Sequence, residues 1–124
     1  NMSIKVKVND KSHPITKDLN DFEIFDEPYY CEFSDGIKVL LESRYTDDAD
    51  AYVNSSWKED IPRPQMYLHK VGKGGVLYLM LGHCRGKYDM RPFMDECPVD
   101  RGGWDNEVFY ELLRRGIKWG INKI

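Results

Sequence analysis

Residues 76–81, VLYLML, are six apolar residues in a row, and they constrain the fold of this chain more tightly than any other stretch. A strand with one wet face alternates apolar with polar positions, so an unbroken run predicts a strand covered on both faces. QMYLHKV (65–71) and GKGG (72–75) precede the run, and the two apolar stretches read as a hairpin with a glycine-rich turn. GKGG is not a phosphate loop, because it lacks the G-x-x-x-x-G-K-[ST] spacing and joins two strands. His69 lies in this hairpin without a companion and reads as structural or exposed. Ile4, Val6 and Val8 alternate with Ser3, Lys5 and Lys7, the pattern of a half-exposed strand at a sheet edge. FEIFDEPYYCEF (22–33) reads as extended and interrupted at Pro28, and IKVLLESRY (37–45) as a strand of branched residues.

Against about five strands the chain offers one long helix, 105–121. Val108, Phe109, Leu112, Leu113, Gly116, Ile117, Gly120 and Ile121 keep one stripe at a 3.6-residue period. Asp105 or Asn106 suits the N-cap, and Glu107 the positive end of the dipole. Gly116 and Gly120 predict a close approach to the sheet, with Trp119 at a rim. The fold class that follows is α/β, a mixed sheet of about five strands with one long C-terminal helix. One helix covers one face of two or three strands. The other face then needs a second copy, in a homodimer, or a partner chain. Ile4, Val6 and Val8 and the outward residues of 37–45 are the expected contacts.

A single domain, 2–124, fits the 124 residues, with Asn1 ahead of Met2 read as a remnant of processing. A net charge of −3 argues against nucleic acid as a partner. No window reaches the ~20 apolar residues of a membrane span, and no secretory leader is evident. Cys31, Cys84 and Cys97 are odd in number and not closely paired, which predicts free thiols and a cytoplasmic protein. Residues 46–64, with Pro62 and Pro64 at their end, read as a long excursion of the kind that often carries function.

The chemistry-bearing residues cluster around two short stretches. His83 follows Gly82 at the end of the apolar run, and in open α/β sheets ligands gather at strand ends. It reads as an acid/base group, against a histidine that only closes a strand on a backbone carbonyl. Cys84 points the opposite way in extended backbone, so the two form no dyad. In DEPYY (26–30), alternation puts Glu27, Tyr29 and Cys31 on one face and Asp26 and Tyr30 on the other. A carboxylate beside aromatic rings suits acid–base work, and the rings suit sugar faces. The competing reading is a surface carboxylate capping a turn. His83 and Glu27 are therefore the catalytic candidates. Asp26 and Tyr30 are candidate ligand contacts, as are Arg85 in the loop 84–104 and His13 in SHPIT. His13, Glu27 and His83 lack the spacing of a metal site, and no metal or other cofactor is expected.

Four stretches occur in order: SHPIT (12–16), DEPYY (26–30), GKGGVLYLMLGH (72–83) and FYELLRRGIKWGI (109–121). Together they resemble the C-terminal half of the ThuA-like family, named for a trehalose-utilisation protein. The resemblance implies a partial flavodoxin-like sandwich of the class I glutamine-amidotransferase type, in which a complete domain is about twice this length. It also implies a role in the catabolism of trehalose or related disaccharides, a small-molecule carbohydrate as partner, and His83 near the place of the amidotransferase catalytic histidine. No G-x-S-x-G or G-x-C-x-G elbow is present. Two functions stand side by side. One is a sugar-binding or acid/base enzyme part. The other is a non-catalytic binding or assembly module, a truncated half-domain that completes its sheet with another chain.

Overall fold

The alternation of the first strand survives folding. In β1 (Met2–Val8), Ile4, Val6 and Val8 are buried, and Ser3, Lys5 and Lys7 are exposed. The computed structural model describes residues 1–44 and 60–124. The further elements are β2 (Phe22–Asp26), β3 (Ile37–Arg44), β4 (Pro62–Val71), β5 (Gly74–Leu79), a short 3-10 turn at Gly102–Asp105, and α1 (Glu107–Gly120). Of the expected excursion at 46–64, residues 46–59 lie outside the described residues. Pro62 and Pro64 instead open β4, facing Arg44 and Glu42 of β3. They are tolerated because β5 pairs with β4 only from Met66 onward, which leaves their other side without a ladder.

The strands form one sheet in the order β2-β1-β3-β4-β5, and every pairing is antiparallel. The expected mixed sheet is thereby corrected. A parallel pair needs a long crossover, whereas β4 and β5 are joined by Gly72 and Lys73 alone. Two placements change with it. β1 is not at an edge; it lies between β2 and β3. The run 76–81 is not a strand buried on both faces. Its strand ends at Leu79 and lies at the edge of the sheet, with Val76 and Tyr78 about half exposed. An apolar run at an edge needs less cover than one in the middle of a parallel sheet.

The core lies between one sheet face and the helix. Ile4, Val6, Val8, Ile24, Leu41 and Met66 form one cluster with Phe109 and Leu112 of α1. A bulge in the β3–β4 ladder turns both Leu40 and Leu41 inward. Gly116 meets the sheet closely, since a Cβ there would stand 2.9 Å from Leu77. Gly120 has open space around it, and Ile117 and Ile121 are exposed, so the apolar stripe of the helix outruns the core. Asn106 is the N-cap, its side chain accepting the Val108 N–H at 2.9 Å.

The second face is covered neither by a helix nor left apolar throughout. Around β1 it carries serine and lysines, which need no cover. Around β4 and β5 the segment 27–36 crosses it. Phe33 packs 6.4 Å from the Tyr67 ring, and Cys31 Sγ lies 3.8 Å from Met80 Sδ. Arg63 stands 4.6 Å above the Tyr30 ring. Among the described residues no helix is long and apolar enough to cross a membrane.

Candidate functional site

Pro28 cannot extend the β2 ladder, and β2 stops at Asp26. The Asp26 side chain is fully buried and faces back toward the end of the other candidate stretch. Its Oδ2 accepts the Gly82 N–H at 2.6 Å, and its Oδ1 accepts those of His83 at 3.1 Å and Glu27 at 2.8 Å. One carboxylate thus ties DEPYY to LGH. Gly82 has φ +100°, and a Cβ there would run into the Phe109 ring, so both conformation and space demand glycine. Trp104 donates its indole N–H to the Gly82 carbonyl at 2.7 Å. Gly103 leaves the room that Asp26 occupies, since a Cβ there would stand 2.5 Å from Oδ2.

This scaffold brings Glu27, Tyr29 and His83 together. His83 Nε2 lies 2.9 Å from Glu27 Oε2, an ion pair only when the imidazole is protonated and without hydrogen-bond alignment. His83 Nδ1 lies 2.9 Å from the Tyr29 hydroxyl, and the two rings stack with centroids 5.2 Å apart. Arg85 approaches the same Glu27 oxygen at 3.8 Å. Its loop is pinned by reciprocal backbone bonds between Arg85 and Asp100, at 2.7 and 2.9 Å. Burial, followed by the nearby Glu27 carboxylate, raises the pKa of Tyr29 above its usual value of 10.0, so the phenol is neutral at physiological pH. A carboxylate, an imidazole and a phenol in line can store a proton and hand it on.

The sequence candidates separate in space. His83, Glu27, Asp26 and Arg85 converge. Tyr30 and His83 both line a cleft of about 300 Å³, together with Tyr29, Cys31, Tyr78 and Met80. His13 does not join them. It follows the far end of β1, whose near end pairs Met2 with Asp26, which puts it about 20 Å away along the strand. There its Nδ1 accepts the Ile15 N–H at 3.3 Å, and burial lowers its pKa. Asp26 is a buried scaffold group with its oxygens turned to backbone. Two contributors escaped the sequence reading. Tyr29 is visible in the sequence only as a same-face neighbour of Glu27, and Trp104 only as the last residue of the loop 84–104. A larger cleft, about 680 Å³, lies at the hairpin end and is lined by Lys38, Lys70, Lys73 and Trp119. Asp10 holds Lys38 there at 2.7 Å, and His69 also lines this cleft, its Nδ1 buried without a hydrogen-bond partner among the described residues.

The model of a family described as ThuA, trehalose utilisation, matches residues 1–97. The matched span holds all five strands and Asp26, Glu27, Tyr29, His83 and Arg85, and it ends before Trp104 and α1. Three of the four stretches that carry the sequence resemblance fall inside it, and 109–121 falls outside. No curated protein and no solved structure matches the chain.

Proposed function

We propose, from the premise that this chain belongs to the ThuA trehalose-utilisation family, that it handles trehalose or a related disaccharide through acid–base work at Glu27 and His83. The observation that carries this reading is the pair of 2.9 Å contacts that flank the two nitrogens of His83 with a carboxylate and a phenol. Tyr30, with Arg63 over one face, and Tyr78, stacked on Tyr67, stand on the cleft wall and supply aromatic surface for a sugar ring. Under this reading the five strands and α1 correspond to the C-terminal half of a class I glutamine-amidotransferase-like domain. The three free cysteines support a cytoplasmic setting.

The test is titration with trehalose and maltose, followed by thermal shift and calorimetry. A raised melting temperature that His83→Ala diminishes supports the reading. No shift with either sugar in a folded protein overturns it. A second reading, a binding or assembly module, draws on the β5 edge, whose sequence GGVLYL carries no charge. That edge is suited to pairing with a second copy or with another chain.

A further inference from the structure

We propose that Tyr29 is the catalytic residue of this site, passing a proton between a hydroxyl of a neutral sugar and His83; this rests on the carbohydrate reading above. The contacts of His83 lead there. Tyr29 pairs with Nδ1 at 2.9 Å, and the Glu27 carboxylate stands against Nε2 at the same distance without hydrogen-bond alignment, so a substrate hydroxyl reaches neither ring nitrogen directly. Tyr29 is the more open partner, 43 % exposed, against 27 % for the His83 side chain. A phenol that donates to Nδ1 keeps lone pairs with which to accept a substrate O–H.

The cleft beside Tyr29 argues for the charge of that substrate. Among the described residues its lining includes Tyr30, Tyr78, Met80 and His83 but no lysine, arginine, aspartate or glutamate. A phosphorylated or carboxylated sugar calls for a cation at hydrogen-bond distance. Of the cations nearby, Arg85 is turned to Glu27 and Arg63 lies over the Tyr30 ring, 4.6 Å from its centroid. An uncharged sugar needs ring faces and one well-placed hydroxyl partner, and these are present.

The proton balance closes without another reactant. The sugar O–H bond breaks, its electron pair stays on the sugar oxygen, and the proton goes to Tyr29 Oη. The proton already on Tyr29 Oη moves to His83 Nδ1. Tyrosine ends neutral, and the new imidazolium faces the Glu27 carboxylate. No free phenolate forms, which suits a phenol that burial and a nearby carboxylate hold in its protonated state. The reverse sequence returns a proton to an anionic sugar oxygen.

The experiment pairs sugar binding with the ring nitrogens of His83, using Tyr29→Phe and His83→Gln. Trehalose, glucose and glucose 6-phosphate are the probes, and imidazole 15N shifts are the spectroscopic readout. The expected result is that trehalose binds and moves the Tyr29 ring resonances. Tyr29→Phe weakens binding about tenfold, as loss of one hydrogen bond does, and shifts Nδ1 toward an unbonded value. Glucose 6-phosphate binds no better than glucose. Trehalose binding that survives Tyr29→Phe but falls in His83→Gln overturns the role of Tyr29 and leaves the carbohydrate reading standing. Preference for the phosphorylated sugar overturns the neutral-substrate assignment. Absence of any sugar binding overturns the carbohydrate reading itself, and with it the proposal as stated. An Nδ1 shift that ignores Tyr29→Phe removes the relay in every case.

Discussion

Asp26 serves three backbone N–H groups from a fully buried position. Asp26→Ala leaves those donors unpaired, and a loss of about 3 kcal/mol is expected in urea unfolding. Asp26→Asn keeps one acceptor oxygen and should cost less. A loss under ~0.5 kcal/mol for the alanine variant would mean that the three bonds are replaced by water or by a shifted loop. Gly103→Ala should act on the same group from the other side, since its Cβ would displace the Asp26 carboxylate. His83→Ala is different. The ring is partly exposed and sits at the end of the scaffold, so stability should change by less than ~1 kcal/mol while sugar binding falls. The sequence could show that Asp26, Glu27 and His83 carry suitable chemistry. It could not show that Asp26 turns inward, because its partners Gly82 and His83 are 56 and 57 residues away.

At the level of elements, α1 holds the sheet by a short contact surface and by several polar ties. Leu112 is fully buried against the strands, and Leu112→Ala should cost ~2–5 kcal/mol in the same measurement. Asn106→Ala removes the N-cap and should cost about 1 kcal/mol. Arg115 donates to the Ile15 and Lys17 carbonyls at 3.1 and 2.6 Å, which fixes the helix to the loop after β1. Glu111 binds Arg114 and Arg115, and these hydrogen bonds push its pKa from 4.5 down to about 2. A depressed carboxylate pKa stabilises the fold above the unfolded value. The Glu111 contribution is therefore complete above about pH 4.5 and is lost as pH falls toward about 2. Glu111→Gln should flatten the acid limb of a stability–pH curve in that window, by a small amount because the ion pairs are partly exposed. An unchanged acid limb would count against the pairs. The helix was legible from its period. Its unequal burial was not, because Ile117 and Ile121 repeat the pattern of Leu112 while standing beyond the edge of the core.

For the whole molecule, the two sheet edges differ. β2 is five residues long and carries Glu23 and Asp26, whereas β5 has no charge and exposes Val76 and Tyr78. Beside β5 runs a groove of about 370 Å³, lined by Leu77, Leu79, Leu113, Ile117 and Trp119. Charged edges resist strand pairing, and charge-free ones invite it. Sedimentation at micromolar concentration is expected to show dimers that dissociate on dilution. Val76→Lys should shift the equilibrium toward monomer without unfolding the chain. A wild-type protein that sediments as a monomer at every concentration rules the pairing out. The contacts expected from the sequence, Ile4, Val6 and Val8, are withdrawn from this role, because β1 lies inside the sheet with these residues in the core.

Local pattern determined what local physics can determine. The alternation of β1, the glycine turn between β4 and β5, the 3.6-residue period of α1 and the asparagine cap all follow from interactions a few residues apart. Even the pairing of Glu27 with His83 was foreseeable, as two functional residue types at strand ends. Strand order, strand direction and burial were not, because these depend on which segments meet across the sheet. VLYLML reads alike whether it is an inner strand or an edge, and only the neighbours it finds decide how much of it stays wet. Tyr29 became the outward partner of His83 for the same reason. Asp26 holds two distant turns in one place, and that closure, absent from any short stretch of sequence, aims the phenol at the imidazole.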